Sequence, residues 1–209
     1  MDDQPTVFIV DDDADVLQAL ARRVRAEDFQ VETFTSPASF LDRLPHDGVA
    51  CLLLDLQMPE VSGLDLQQMM ASRGVTMPIV FLSGNGDVPS TAQAMREGAV
   101  DFLVKPAGEA QLLDAVTRAL ARASQVQRRS TEQRQTHERL ARLSKREREV
   151  CDLVAAGLLN KQIAFQLGIA EKTIKVHRGR VMHKLEIDSV AALVRLLATV
   201  DEPATPEST

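Results

Sequence analysis

The 209 residues include no Trp, no Tyr and only seven Phe, and carry a net charge of −6. Aliphatic side chains must therefore fill the core of one large domain or the cores of two ordinary ones. The charge is split, with 8 Lys+Arg against 19 Asp+Glu in residues 1–120 and 16 against 11 in residues 121–209, so only the second half suits a polyanion.

No apolar run approaches the length of a membrane span, and Met1-Asp2-Asp3 is the opposite of a basic signal-peptide start. A soluble, cytoplasmic chain with no membrane partner is expected. Cys51 and Cys151 lie inside apolar patterns without a second Cys or His at ligand spacing. They read as buried thiols, neither disulfide nor zinc.

Thr6–Val10 is an apolar run that ends at Asp11-Asp12-Asp13. Val16, Leu17, Leu20 and Val24 then give helical spacing over 14–26. Gln30–Phe34 reads as a strand. Ser36-Pro37 opens a helix with proline in its first turn, and Phe40, Leu41 and Leu44 form its apolar face. Val49–Leu54 runs straight into Asp55, as a strand buried on both faces would. Residues 63–72 are helical, 78–82 form an apolar strand ending at Ser83-Gly84, 88–97 are helical, and 101–104 form a short strand ending at Lys105-Pro106. A last helix starts near Gly108.

Five strand–helix alternations in about 120 residues predict a parallel sheet with helices on both faces, an α/β doubly wound domain. Asp11, Asp12, Asp55, Ser83 and Lys105 all follow strands. In a parallel sheet those ends share one edge, where open α/β folds place their ligands. Three adjacent carboxylates repel unless a cation intervenes, and a hard, oxygen-preferring ion such as Mg²⁺ suits them best. A carboxylate beside such an ion can accept a phosphoryl group, with Lys105 and Ser83 holding its oxygens. Asp13 and Asp15 are assigned to the following helix N-terminus, where negative charge is favoured.

The acids admit two rival readings. Asp11, Asp13 and Asp15 mimic the start of a calcium loop, but Val16 stands where that loop needs glycine. A strand ending in D-x-D also resembles haloacid-dehalogenase-type phosphatases, which usually carry Thr or Val where this chain has Asp15.

Residues 121–142 are polar and helix-prone, with no Gly or Pro. Leu112, Val116, Ala119, Ala123 and Val126 keep coiled-coil spacing, but Ser130, Gln133 and His137 continue it with polar side chains. A solvated helical spacer, continuous with the preceding helix, is favoured over a dimerising coil.

Ser144 and Glu147 form a capping box. The helix they open buries Val150, Cys151, Val154 and Ala155 and stops at Gly157. Asn160 is expected to cap the next helix, which buries Ile163, Ala164 and Leu167 and ends at Gly168. A third helix spans 171–185 and a fourth 190–197. Residues 201–209 read as a disordered tail. In the third helix Ile174, Val181 and Leu185 share one face. Lys172, Lys175, Val176, Gly179 and His183, flanked by Arg180, share the other. An exposed basic face on the second helix of a helix-turn-helix pair suits the DNA major groove.

Two resemblances follow from the motifs. V-D-D at 10–12, L-L-D-x-x-M-P at 53–59, Ser83-Gly84 and G-A-x-D-F-L-x-K-P at 98–106 resemble the response-regulator receiver domain, with its flavodoxin-like five-stranded sheet. L-S-x-R-E-R-E-V-x-x-L-V-A-x-G at 143–157, N-K-Q-I-A-x-x-L-x-I at 160–169 and T-I-K-V-H at 173–177 resemble the LuxR-type DNA-binding domain, a four-helix unit. Together they are similar to the NarL/FixJ family of response regulators, and G-D-V-P at 86–89 leans toward its FixJ-like branch.

The resemblance implies a receiver at 1–121, a helical linker at 122–141, a DNA-binding domain at 142–200 and a tail at 201–209. It implies phosphorylation of Asp55 by a sensor histidine kinase, and Mg²⁺ held by Asp11, Asp12, Asp55 and the Gln57 backbone carbonyl. Ser83 and Phe102 are then the switch pair, Lys105 binds the phosphoryl group, and the Lys105–Pro106 bond is cis. Lys161, Lys172, Thr173, Lys175, Val176, Arg178, Gly179, Arg180, His183 and Lys184 are implied to meet double-stranded promoter DNA. Lys175 and Val176 fall where base edges are read. Ala170 replaces the usual Ser N-cap, and Gly179 removes a side chain that some relatives present. His177 is expected to pack against the scaffold. The chain is expected to be a transcription regulator, not an enzyme, that forms a homodimer on phosphorylation. RNA polymerase is a further candidate partner. A Mg²⁺-dependent phosphatase and a phosphorylation-independent DNA-binding protein are the alternatives.

Overall fold

The computed structural model describes residues 4–84 and 88–201. Gly86 and Asp87 of the G-D-V-P stretch lie outside the described residues, as does the expected tail from residue 202. The chain divides into two compact units, meeting between Gln127 and Arg128. Among the described residues, no helix is long and apolar enough to cross a membrane.

The first unit alternates β1 (Thr6–Val10), α1 (Ala14–Arg25), β2 (Gln30–Phe34), α2 (Pro37–Arg43), β3 (Ala50–Asp55), α3 (Gly63–Ser72), β4 (Ile79–Ser83), α4 (Val88–Arg96) and β5 (Asp101–Val104), and then enters α5 (Glu109–Ala141). The five strands form one sheet in the order β2-β1-β3-β4-β5, and every pairing is parallel. This is the expected doubly wound sheet.

Every residue of β1, β3 and β4 is buried, because strands covered on both faces have no solvent side. Successive side chains point to opposite faces. Val7, Ile9, Cys51, Leu53, Val80 and Leu82 join a core with α1 and α5. Phe8, Val10, Leu52, Leu54, Ile79 and Phe81 join a second core with α2, α3 and α4. Both cysteines are free and buried, and burial pushes the Cys51 thiol to about 12.

The second unit takes the last turns of α5 and adds α6 (Lys145–Ala155), α7 (Asn160–Leu167), α8 (Glu171–Leu185) and α9 (Val190–Asp201). Leu140, Val150, Cys151, Val154, Ile163, Ile174, Val181, Leu185 and Leu193 form its core. The Ser144–Glu147 capping box forms as expected. Two expectations are corrected. Asn160 does not cap α7. It is the first helical residue, Leu159 takes the cap position, and the Leu159 N–H donates to the Gln162 side chain. α9 also runs to Asp201, past Leu197.

Candidate functional site

Strand register assembles the acidic edge. Val10 pairs with Leu54, so Asp11 and Asp55 leave adjacent strands at the same level. This is the β1/β3 gap, where the strand order reverses and where this topology places its ligands. Asp55 pairs with Leu82, and Ser83 with Val104, so Ser83 and Lys105 complete the edge.

Asp11 and Asp55 are buried and Asp12 is exposed. One carboxylate oxygen from each of the three lies within 4.8 Å of the others. An oxygen-only, triply negative donor set fits a hard cation such as Mg²⁺, and exposed Asp12 leaves room for the waters that ion retains.

Lys105 Nζ lies 2.5 Å from Asp11 Oδ2 and 2.9 Å from Asp55 Oδ1. Burial alone would depress the lysine, but the two carboxylates outweigh it and hold its pKa above the ordinary range. Burial is also the largest influence on Asp55. It lifts the carboxyl above the usual carboxylate range, against Lys105 and a backbone N–H donated by Gln57.

The Lys105–Pro106 bond is cis, as is Leu44–Pro45. Ser83 is fully buried. Phe102 is half-buried, with its ring tilted 6.5 Å from that of Phe81. Asp13 caps α1 through the backbone N–H groups of Asp15 and Val16, which matches the role expected of it.

Gly63 opens α3 hard against the end of β3. A Cβ there would collide with the Asp55 carbonyl oxygen and crowd the Phe81 ring. Glycine is what lets α3 start against the acid-bearing end of β3.

In the second unit Lys161, Lys172, Thr173, Lys175, Val176, Gly179, Arg180 and His183 are all exposed. Ile174, Val181 and Leu185 hold the opposite face of α8 in the core. α8 starts at Ala170 without a side-chain cap, as its sequence predicts. Gly179 has open space where a Cβ would stand. His177 is half-buried, with Nδ1 buried and unpartnered among the described residues.

Two cations of α8 are committed inward. The Arg178 guanidinium donates to Asn160 Oδ1 at 3.1 Å. Lys184 Nζ donates to Glu147 Oε2 at 2.6 Å and to the Arg142 carbonyl at 3.1 Å. That lysine, the largest influence, and the Ser144 backbone N–H hold the Glu147 carboxyl down at about 2. These partners lie too far apart in sequence for periodicity to pair them.

Residues 7–117 match the response regulator receiver domain, and residues 141–197 match the bacterial regulatory proteins of the luxR family. The chain is 42% identical over 195 residues to the response regulator protein TmoT of Ectopseudomonas mendocina, covering 93% of this chain and 89% of the relative. It is 39% identical over 191 residues to the transcriptional regulatory protein FixJ of Azorhizobium caulinodans, covering 91% and 90%. The solved structure of the response regulator StyR matches with a TM-score of 0.85 at 42% identity, over 93% of this chain and 98% of that one. Similarity of that depth across both units means that the chain belongs to the NarL/FixJ family of response regulators, as a transcription regulator rather than an enzyme, whose receiver implies a histidine kinase partner and whose luxR-type domain implies DNA binding.

Proposed function

We propose that Asp55 is the phosphoryl acceptor of a cytoplasmic two-component regulator, and that its modification controls dimerisation and promoter binding. The observation that carries this reading is the strand-end cluster of Asp11, Asp12 and Asp55, with the Lys105 ammonium paired to Asp11 and Asp55. The P–N bond of a kinase phosphohistidine breaks, and a bond forms from phosphorus to an Asp55 carboxylate oxygen. Asp11, Asp12, Asp55 and the Gln57 carbonyl would hold Mg²⁺, which would supply positive charge against the incoming group. Lys105 stays with Asp11 and turns a second donor to a phosphoryl oxygen.

Phosphorylation adds roughly 1.5–2 negative charges at a buried position. Ser83 moves to donate to the new oxygens, and Phe102 turns inward into the space it leaves. This biases an existing equilibrium toward a homodimer. The dimer places two copies of α8 on half-sites about one helical turn apart. Residues 1–121 act as receiver, 122–141 as linker, 142–200 as DNA-binding domain and 201–209 as tail. Lys175 and Val176 read base edges. Lys161, Lys172, Thr173, Arg180 and His183 lie along the duplex, and RNA polymerase is the protein the bound regulator acts on.

Intact mass after incubation with acetyl phosphate and Mg²⁺ tests the acceptor. Wild type gains one phosphoryl group and Asp55→Asn gains none. No gain in wild type, or a gain in both, overturns the reading.

A further inference from the structure

The loop between α2 and β3 carries a base that the acidic edge does not use. The His46 ring meets Phe8 at right angles, with centroids 5.1 Å apart and planes at 88°. Phe8 is fully buried and also touches the Phe34 and Phe40 rings, so His46 extends an aromatic cluster of the core. Its Nε2 atom is buried and has no hydrogen-bond partner among the described residues. The backbone passes close by at Gly48, where a Cβ would stand 2.8 Å from that nitrogen. An imidazolium must donate from both nitrogens, and a buried donor without a partner is costly. The seat therefore suits the neutral ring and rejects the charged one.

The charged groups around the ring do not supply that partner. They are Arg43 of α2, Glu32 of β2 and Asp47 in the loop itself. Glu32 is engaged by Arg43 through hydrogen bonds of 2.8 and 2.9 Å. The guanidinium carbon lies 5.9 Å from the Phe8 ring centroid, so a cation already stands beside the cluster. Burial, the larger influence, and Arg43 hold the His46 pKa below the ordinary 6.5, against Glu32 and Asp47. A base lowered in this way leaves the seated ring fully favoured above pH 6.5, and the preference fades as pH falls below that value.

The same loop makes a second contact, one residue on. The Asp47 carbonyl oxygen accepts a hydrogen bond from the Gln127 side-chain amide at 3.0 Å. The division between the two units falls immediately after Gln127, and α5 runs on through it to Ala141. With the two anchors adjacent in sequence, lifting His46 from Phe8 pulls Asp47 away from Gln127. We propose that this loop is a proton-operated latch on α5, in which the neutral His46 ring seated on Phe8 holds Asp47 against Gln127 and protonation of the ring releases both. The latch does not depend on phosphoryl transfer at Asp55. It gives acid a separate route to the helix that leads out of the receiver.

Amide hydrogen exchange of the full-length protein tests the latch at the turn of α5 around Gln127, from about pH 8 to about pH 5, with each rate divided by that of an unstructured peptide at the same pH. Gln127→Ala is expected to exchange there about fivefold faster than wild type at about pH 8, the scale of one hydrogen bond, and to show no pH trend of its own. Wild type is expected to start protected and to approach the Gln127→Ala rate as pH falls. His46→Gln, which cannot take the proton, is expected to give a flat profile. A flat profile in wild type, the wild-type trend in His46→Gln, or a Gln127→Ala rate equal to wild type at about pH 8 overturns the proposal. Should His46→Gln fail to fold, an NMR titration of wild type replaces it. The His46 ring and the Gln127 side-chain amide are expected to titrate with one midpoint below 6.5. A Gln127 amide that stays still while the ring titrates, or a ring midpoint at or above that value, overturns the latch.

Discussion

Lys184 and Glu147, 37 residues apart, form a 2.6 Å ion pair that ties the C-terminal turn of α8 to the capping box of α6. The carboxylate is 5% exposed and the lysine side chain 37% exposed. The ammonium is occupied by Glu147 and the Arg142 carbonyl, so its geometry is that of a structural tie within the unit. A cation that meets phosphate steepens the dependence of DNA affinity on salt by about one unit of log–log slope. Lys184→Met should lower stability by about 1–2 kcal/mol, toward the low end of the penalty for stranding a buried charged partner, and leave the slope unchanged. Lys175→Ala should reduce the slope by about one. DNA titrations at four salt concentrations would check both, and a reduced slope for Lys184→Met would return that residue to the DNA face.

The same pair sets a pH dependence. The Glu147 carboxyl is held at about 2 in the folded state, below the about 4.3 of an unfolded chain. A depressed acid contributes stability that is complete above the unfolded value and fades as pH falls toward the folded one. Urea melts followed by circular dichroism should show wild type more stable than Glu147→Gln at pH 6. The difference should shrink steadily from about pH 4.5 to about pH 2. A difference that is flat across that window would remove the pair from the stability of the unit.

Asp55 shifts in the opposite direction. Burial lifts its carboxyl above the usual range, so the folded state disfavours the charged form. The penalty is present above the folded pKa and is relieved as pH falls through it. Asp55→Asn should therefore stabilise the metal-free protein at neutral pH by on the order of 1 kcal/mol, the common scale of one substitution. Mg²⁺ should stabilise wild type by up to about 2.7 kcal/mol at a hundredfold excess over its Kd, and the variant far less. Thermal melts with and without Mg²⁺ measure both effects, and equal Mg²⁺ stabilisation of the two proteins would place the ion elsewhere.

The acidic edge was legible because a parallel sheet makes strand ends converge. Once Leu52–Leu54 and Phe8–Val10 read as buried runs, Asp55 and Asp11 had one place to be, and the register pairs them there. The strands were legible for the same reason, since both faces are covered. What escaped was set by contacts distant in sequence. Asn160 looks like an N-cap, but its amide is taken by Arg178 from α8. Lys184 sits in a basic helix and reads as groove-facing until Glu147 is seen behind it. The clash that demands glycine at 63 involves a backbone oxygen from another element, which no local pattern reveals.

α8 carries two local weaknesses that can be repaired independently. Ala170 already has the extended backbone of a cap, at φ −68° and ψ 143°, but no side-chain acceptor. Ala170→Ser should add about 1 kcal/mol. Gly179 lies inside the helix with nothing near its missing Cβ, so Gly179→Ala should add about 0.5–1 kcal/mol. Nine residues of helix separate the two sites by about 13 Å, so the gains should sum in the double variant. Denaturant melts measure that sum, and a double variant no better than either single one would mean that α8 frays as one unit.

Gly63 is the strictest steric demand near the acceptor. α3 begins so close to the end of β3 that any Cβ meets the Asp55 carbonyl oxygen, with the Phe81 ring on its other side. Neither neighbour can yield cheaply, since one is backbone and the other belongs to the core around fully buried Phe81. Gly63→Ala should lower receiver stability by roughly 1–3 kcal/mol, the usual scale of overpacking. It should also push the Asp55 peptide away from Asp11 and Lys105, slowing phosphorylation even where the protein remains folded. Urea melts give the first effect, and the rate of mass gain from acetyl phosphate, measured well below the melting temperature, gives the second. A destabilised variant with an unchanged phosphorylation rate would show that α3 moves to absorb the methyl group while the acceptor stays in place.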